Sequence, residues 1–511
     1  MRKKYVVLNL LTAWGGQAVI VIFNFILRML FVKYLSIEYL GMNGLFSNIL
    51  SLLSLAEMGI GSAIIYSLYE PLAKKEETVV QSFMDFYKKA YWIIGSVILL
   101  AGSAFIPFLD WFIKDGTKIQ GFEIIYFLFV LDTSVSYFFS YKISLIIANQ
   151  KSFIVNIYAN GVKLVKIIVS MLVISVWQNY FSYLILQMAF TLLENVLISH
   201  RADKMYPFLK EKRRKALSIE QKVQIKKNTM AMLFHRIGNI VVNGTDNLIL
   251  SKFVSMASVG LLSNYNMVLN GLHTLIGQVF QAFTAGVGNY VVTEGENQQR
   301  QLFWQMFFLN FWLYGSCSVG LFCLFNPFII LWIGAEYAFS KAIVFLVVFN
   351  FFITGMRKTV LTFRDAMGLF WHDRYKAFIE AVLNLLISLF LVKQIGIAGV
   401  FLGTIISTVM TCFWIEPYIL FRYGLKEKIR RYFKYYGYYL VLTVTAGMIG
   451  DYLCNYINGN DIKSFVGKAA VCVIICQLIF FIGCIPVKYT YIVIEKIKEG
   501  IRIFDKSNMK K

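Results

Sequence analysis

The chain has 511 residues, of which 58% are hydrophobic, 17% aromatic and only 15% charged. A soluble chain carries about 25% charged residues, so the polar surface here is too small to cover a water-soluble fold. That excludes a soluble enzyme, a nucleic-acid-binding module and a disordered scaffold, and it turns the net charge of +22 into a question of where the cations lie.

A membrane span needs about 20 mostly apolar residues to cross a hydrocarbon core of about 30 Å. Apolar runs between charged or Gly/Pro-marked breaks predict helices over 8–33, 41–68, 87–107, 122–148, 153–176 and 179–200. A second set is expected over 228–253, 258–288, 302–326, 340–366, 375–395 and 397–421, and two more over 435–457 and 465–485. The first run is too long for a cleavable signal peptide and lacks a small-residue cleavage site. The six prolines (Pro71, Pro107, Pro207, Pro327, Pro417 and Pro486) are expected at or beyond span ends, where a missing amide costs least. The seven cysteines are odd in number and mostly inside apolar runs, which argues against a disulfide framework. Cys472 and Cys476 share a helix face but have no His or second pair to complete a metal site.

Fourteen spans put both termini on one side. With charges at helix ends counted with the adjoining loop, 34 of the 50 Lys and Arg lie on the side of the termini, 7 on the opposite side and 9 within spans. Cytoplasmic loops carry the excess of Lys and Arg, so both termini are expected in the cytoplasm. The loop 201–227 alone holds ten cations and the tail after Pro486 holds seven. In that tail Ile494, Ile497, Ile501 and Phe504 recur opposite Lys496, Lys498 and Arg502. This suits either a helix lying on anionic membrane lipids or a plainly solvated tail. Topology accounts for most of the charge, so no nucleic-acid partner is expected.

The sequence also repeats itself. At an offset of 219, Asn9 meets Asn228, Asn24 meets Asn243, Lys33 meets Lys252, Ser36 meets Ser255 and Gly41 meets Gly260. At an offset of 220, Pro107-Phe108 meets Pro327-Phe328, and Trp111 and Trp332 follow each pair. A repeat unit of six spans, an even number, gives two copies that run the same way through the membrane. The fold class expected is therefore an all-α polytopic membrane protein of about 14 transmembrane helices, arranged as two parallel six-helix lobes plus two C-terminal helices. Its domains are an N-terminal lobe at 1–200, a basic cytoplasmic linker at 201–227, a C-terminal lobe at 228–421, accessory spans at 422–485 and a basic amphipathic tail at 486–511.

Ionisable residues inside a span are functional-site candidates by default. The cations within spans are Arg28 in span one, Lys142 in span four, Lys163 and Lys166 in the middle of span five, His235 and Arg236 in span seven, and Arg357, Lys358 and Arg364 in the inner half of span ten. Lys163 and Lys166 are three apart and share a helix face. Lys142, Lys358 and Arg364 lie close enough to the cytoplasmic side to snorkel. Glu57, Asp132, Glu194, Asp246, Glu380 and Glu416 are the acidic residues within spans. They either pair with the cations or titrate in an ion-coupled cycle, with partners from other helices. A cavity rimmed by cations of both lobes suits an anionic substrate, and the planar fork of Arg matches phosphate. No GxxxxGK[ST] loop occurs and no cofactor is expected. The energy would come from an ion gradient such as protons or sodium, from membrane potential, or from substrate mass action.

The stretch Arg28 to Gly61, RMLFVKYLSIEYLGMNGLFSNILSLLSLAEMGIG, resembles the opening of bacterial polysaccharide transporters, as does YSLYEPLA from Tyr66 to Ala73. These are flippases for undecaprenyl-pyrophosphate-linked oligosaccharides within the multidrug/oligosaccharidyl-lipid/polysaccharide exporter superfamily. The matching parts are an Arg late in span one, a Tyr-Leu-Gly at the start of span two, and Glu57, Gly59 and Gly61 within it. Related lipid II flippases place an Asp directly after the span-one Arg. Met29 stands there in this chain, which favours capsule or other wall glycans over peptidoglycan.

The resemblance implies a two-lobe transporter of the bacterial cytoplasmic membrane with alternating access and no covalent chemistry. Its partners would be a lipid-linked oligosaccharide, membrane lipids, and a polysaccharide polymerase with its assembly proteins. Arg28, Lys163, Lys166, Arg236 and Arg357 are the expected substrate-binding residues. Glu57, Asp132 and Asp246 are the expected ion-coupling or ion-pair partners. Two rivals remain, a multidrug or cation antiporter of the same superfamily and a polytopic glycan polymerase or glycosyltransferase. The second would need a larger outer loop than 108–121 or 327–339.

Overall fold

The computed structural model describes residues 19–57, 60–113, 121–149, 151–211, 245–369, 372 and 375–485. Long apolar runs become helices because a helix satisfies its backbone polar groups within one segment, where lipid offers no partners. In chain order α1 covers residues 19–34, α2 Ile37–Leu53, α3 Ile60–Ala73, α4 Glu77–Ala104, α5 Phe122–Ala148, α6 Ser152–Trp177 and α7 Tyr180–Met205. Next come α8 Asp246–Phe253, α9 Met256–Thr293, α10 Glu296–Trp332, α11 Lys341–Met356, α12 Lys358–Ala366 and α13 Lys376–Ile395. The last are α14 Ile397–Met410, α15 Cys412–Ile419, α16 Arg430–Cys454 and α17 Ile462–Cys484. Among the described residues no strand occurs, and 8 helical stretches are long and apolar enough to cross a membrane on their own. The chain is a multi-pass membrane protein.

Several expected spans are not single rods. A 3-10 turn, Ser54–Glu57, separates α2 from α3. Arg357 stands alone between α11 and α12, and α15 runs into a π turn at Leu420–Gly424. The 3-10 turn Ile106–Phe112, with Pro107 in its first turn, bends 61° away from α4. The expectation that prolines mark span ends fails at three positions: Pro71, Pro327 and Pro417 lie inside α3, α10 and α15. The apolar residues beyond Pro327 still have to bury hydrogen-bonded backbone, so α10 continues through Ile329, fully buried, to Trp332.

The helices form two compact units, Met1–Ser263 and Asn264–Lys511. In the first, α5 packs against α3, α4 and α7 around Leu68, Phe83, Tyr87, Leu145 and Ile198. In the second, α10 packs against α11, α16 and α17. There Phe311 stacks on Tyr439 at 4.1 Å and meets Phe480 at 4.7 Å. Asn310 of α10 donates to the carbonyls of Gly355 and Met356 at 3.1 and 3.0 Å. These acceptors close α11, so two of the helix-end carbonyls at the break before Arg357 have a side-chain partner.

The first unit carries the offset of 219 in its contacts. A methyl carbon built at Gly41 would overlap the carbonyl oxygen of Met256, and one built at Gly260 would overlap the carbonyl oxygen of Ile37. Ile37 and Met256 are themselves 219 apart, as are Gly41 and Gly260. The same exchange relates Arg28 with Ser263, in hydrogen bond at 3.1 Å, to Asn247 with Gly44. Contacts that swap partners in this way are what a two-fold axis produces.

Candidate functional site

Three clusters of intramembrane charge can be placed, two in the first unit and one in the second. The first surrounds Arg28, half-buried on α1. Its Nη1 donates to Ser263 Oγ, and the phenol of Tyr183 lies beside it. Tyr183 belongs to an aromatic group with Phe31 and Tyr180, and Tyr180 stacks on Tyr39 at 4.2 Å and donates to Asn43. Arg28 thus lies beside the first turn of α7, with Ser263 and Tyr183 among its polar neighbours.

The second cluster lies midway along α5, α6 and α7. Lys166 is half-buried and sits in the field of Glu194, Asp132 and Lys163. Lys163, one turn away, is exposed and faces Glu194 as well. Two lysines and two carboxylates balance in formal charge. Among the described residues none of these four makes an ion pair within 4.0 Å, so the cluster is open. Glu194 is eleven residues beyond Tyr183 on α7, about 16 Å along the axis. The structure therefore joins Lys163 to Lys166 and sets Arg28 three turns away.

The third cluster is closed. Arg357, at the break between α11 and α12, donates to Glu416 of α15 from Nε at 2.9 Å and Nη2 at 2.7 Å. Its Nη1 lies 3.8 Å from Glu380 of α13, and Lys376 of α13 also binds Glu416. Glu380 accepts from Thr408 at 3.0 Å and from the Cys412 thiol at 2.9 Å. Glu416 has no exposed surface and Lys376 only 8%. A bidentate Arg–carboxylate pair with every neighbour supplied is a framework contact, so Arg357 is engaged by carboxylates of two other helices.

The remaining expected residues fall as follows. Glu57, in the 3-10 turn of the second span, accepts from Tyr91 at 3.4 Å and Tyr137 at 3.3 Å. Asp246 is in the first turn of α8. Arg236 and His235 lie outside the described residues. Lys142 reaches Asp203 at 2.7 Å and Ser199 at 2.9 Å, and Arg364 pairs with Asp365 at 2.8 Å. Lys376 escaped the sequence reading because it opens a helix and so looks like a loop charge. Its i,i+4 spacing to Glu380 was the available signal.

No protein-family model matches the chain, and the search of curated proteins finds no match. Solved structures do match. The lipid II flippase MurJ, in an inward closed conformation, is similar over 93% of this chain and 99% of its own, with a TM-score of 0.65 and 15% identity. An inward-facing multidrug resistance MATE transporter of the MOP superfamily matches over 79% of this chain and 94% of its own (TM-score 0.63, 13% identity). The Vibrio cholerae MATE transporter VcmN matches over 83% and 98% (TM-score 0.56, 10% identity). An all-helical chain in two units with these neighbours has the fold shared by the lipid II flippase MurJ and the MATE transporters.

Proposed function

We propose that this protein is a flippase that carries undecaprenyl-pyrophosphate-linked oligosaccharides across the bacterial cytoplasmic membrane for capsular or other surface polysaccharide, by alternating access. The observation that carries this reading is the open Lys163–Lys166 cluster. Two ammonium groups on one helix face, one of them exposed, offer point charges to a phosphate. Asp132 and Glu194 balance those charges in the absence of substrate, with no ion pair within 4.0 Å among the described residues. No covalent bond is made or broken, and the energy comes from an ion gradient, membrane potential or mass action. Further support is that the flippase match extends over more of the chain than the MATE matches do.

A second reading, an antiporter of organic cations, draws on the same cluster through its carboxylates and on the likeness to the MATE transporters. Reconstituted vesicles separate the two. Lys163→Gln with Lys166→Gln is expected to lower flipping of a pyrophosphate-linked lipid at least about tenfold per folded protein, as the loss of charge-assisted contacts worth about 1.5–3 kcal/mol would do. Export of an organic cation dye that is abolished by Asp132→Asn with Glu194→Gln, together with unchanged lipid flipping in the lysine variant, would overturn the flippase.

The excess of 34 cations over 7 supports both termini being cytoplasmic. Single cysteines at Lys118 and Lys463 are expected to react with an impermeant thiol reagent in intact cells, and one at Lys212 only after lysis. Six of the seven native thiols are buried and Cys317 is half-buried, which keeps the background low. Labelling at Lys212 from outside would reverse the topology.

A further inference from the structure

In the second unit, α15, its π turn and the start of α16 enclose a cavity of about 540 Å³ lined by His372, Trp414, Tyr418, Tyr423, Ile429 and Phe433. The lining is graded from apolar to polar. Trp414 packs on Phe433 at 4.5 Å, whereas His372 stacks on Tyr423 at 4.4 Å. Arg422 stands 5.5 Å over the rings of both Tyr418 and Tyr423 and donates to the Tyr418 hydroxyl. Arg430 follows the lining residue Ile429 that precedes α16, Lys434 follows the lining residue Phe433 within it, and the two cations, four apart, fall on one face of that helix. Trp414 is 52% exposed and Tyr423 46%. The cavity therefore opens to the surroundings of the helices, and aromatic side chains of this kind are enriched at membrane–water interfaces.

The charges around it are not evenly matched. The nearby carboxylates are turned toward α10: Glu296 binds Lys426 at 2.7 Å and Arg300 at 3.1 Å. Glu427 binds Arg431 at 2.7 Å and the Trp304 indole at 3.0 Å. Among the described residues no carboxylate lies within ion-pair distance of Arg422, Arg430 or Lys434, all three exposed. Among the described residues these three cations have no carboxylate at ion-pair distance, and beside an apolar floor that opens sideways they complement a molecule with an anionic head and a hydrocarbon chain.

We propose that this cavity binds one anionic phospholipid, its phosphate at Arg422 with Arg430 and Lys434 on the rim, and an acyl chain along Trp414 and Phe433. A free phosphate would leave the apolar floor unused. Basic pockets between helices at a membrane surface recognise anionic headgroups, with about 1 kcal/mol for each Lys or Arg. The site is independent of what the protein transports.

The test titrates the full-length protein in detergent with phosphatidylglycerol brominated on its acyl chains, read by tryptophan quenching. Phosphatidylcholine with the same chains is the neutral comparison. Phosphatidylglycerol is expected to quench a distinct fraction at a concentration at least about tenfold lower, and Trp414→Phe to remove that fraction. Arg422→Gln, Arg430→Gln and Lys434→Gln together should shift the midpoint to that of phosphatidylcholine. The same charge loss at exposed Lys75, Lys88 and Lys89 should leave it unmoved. Should the triple variant fail to fold, Arg422→Gln alone must still raise the midpoint by about fivefold, the worth of one cation. Equal midpoints for the two lipids, or equal shifts in both triple variants, would reject a discrete site in favour of general attraction by basic loops. Full competition by glycerol phosphate alone would reject the lipid and leave only an anion site.

Discussion

Replacing Glu416 by glutamine is expected to destabilise the protein by about 3–5 kcal/mol, because it removes the carboxylate shared by a buried guanidinium and a buried ammonium. Glutamine keeps the volume and one acceptor oxygen, so the effect isolates charge from packing. Arg357 would retain only Glu380 at 3.8 Å, which already accepts from Thr408 and Cys412. Thermal unfolding of the detergent-purified protein measures the loss. The companion is a quadruple variant, Arg357→Met with Lys376→Met, Glu380→Gln and Glu416→Leu, which removes both cations along with both buried carboxylates. It is expected to recover most of the stability, since apolar replacements of a buried ion cluster are often neutral or better. A quadruple variant as unstable as Glu416→Gln would show that the cluster acts through packing.

Alanine at Gly41 or Gly260 is expected to cost about 1–3 kcal/mol each, the usual penalty for forcing atoms into a filled contact. Each methyl would meet a main-chain carbonyl, and the methyl at Gly260 would also stand 2.9 Å from Ile37 Cγ1. A flexible side chain could move aside, whereas a helix backbone cannot do so without displacing its turn. Gly320 and Gly437 provide the contrast, since a methyl carbon there meets nothing within 4 Å. Alanine at those positions should be neutral, or stabilising by up to about 1 kcal/mol through helix propensity. The same unfolding assay reads all four. Equal effects at the crowded and the open glycines would remove the close approach from the account of this fold.

Hydropathy made most of the helices legible. The run 122–148 became α5 with the same limits, and 153–176 became α6 with one residue added at each end. Charge pairing was not legible, because it depends on which helices are neighbours. The bond between Arg357, a candidate for substrate, and Glu416, fifty-nine residues later, is visible only in the fold. Lys166 and Glu194 likewise meet only because α6 packs on α7. The interruptions at Ser54–Glu57 and Arg357 were hidden for another reason: a turn inside a span keeps the same apolar composition as the helix around it. The glycines at 41 and 260 were visible as a match in sequence, but their contact with each other's helix needed coordinates.

The closed cluster of the second unit also bears on how the chain is made. Ribosomes add about 5–20 residues per second, so domains assemble from the N-terminal end. Arg357 and Lys376 are synthesised 59 and 40 residues before Glu416. At about 5–20 residues per second these waits last roughly 3–12 s and 2–8 s. During them two cations destined for burial have no Glu416 to bind, and Arg357 stands at the end of α11, where no continuous helix yet carries it inward. The emerging spans must then stay near the insertion machinery, or near water, until α15 arrives. Glu57 faces the same delay, since its partners Tyr91 and Tyr137 come 34 and 80 residues later. Membrane integration of both units is therefore coupled across helices, and a nascent chain arrested before α15 would be an unsettled one.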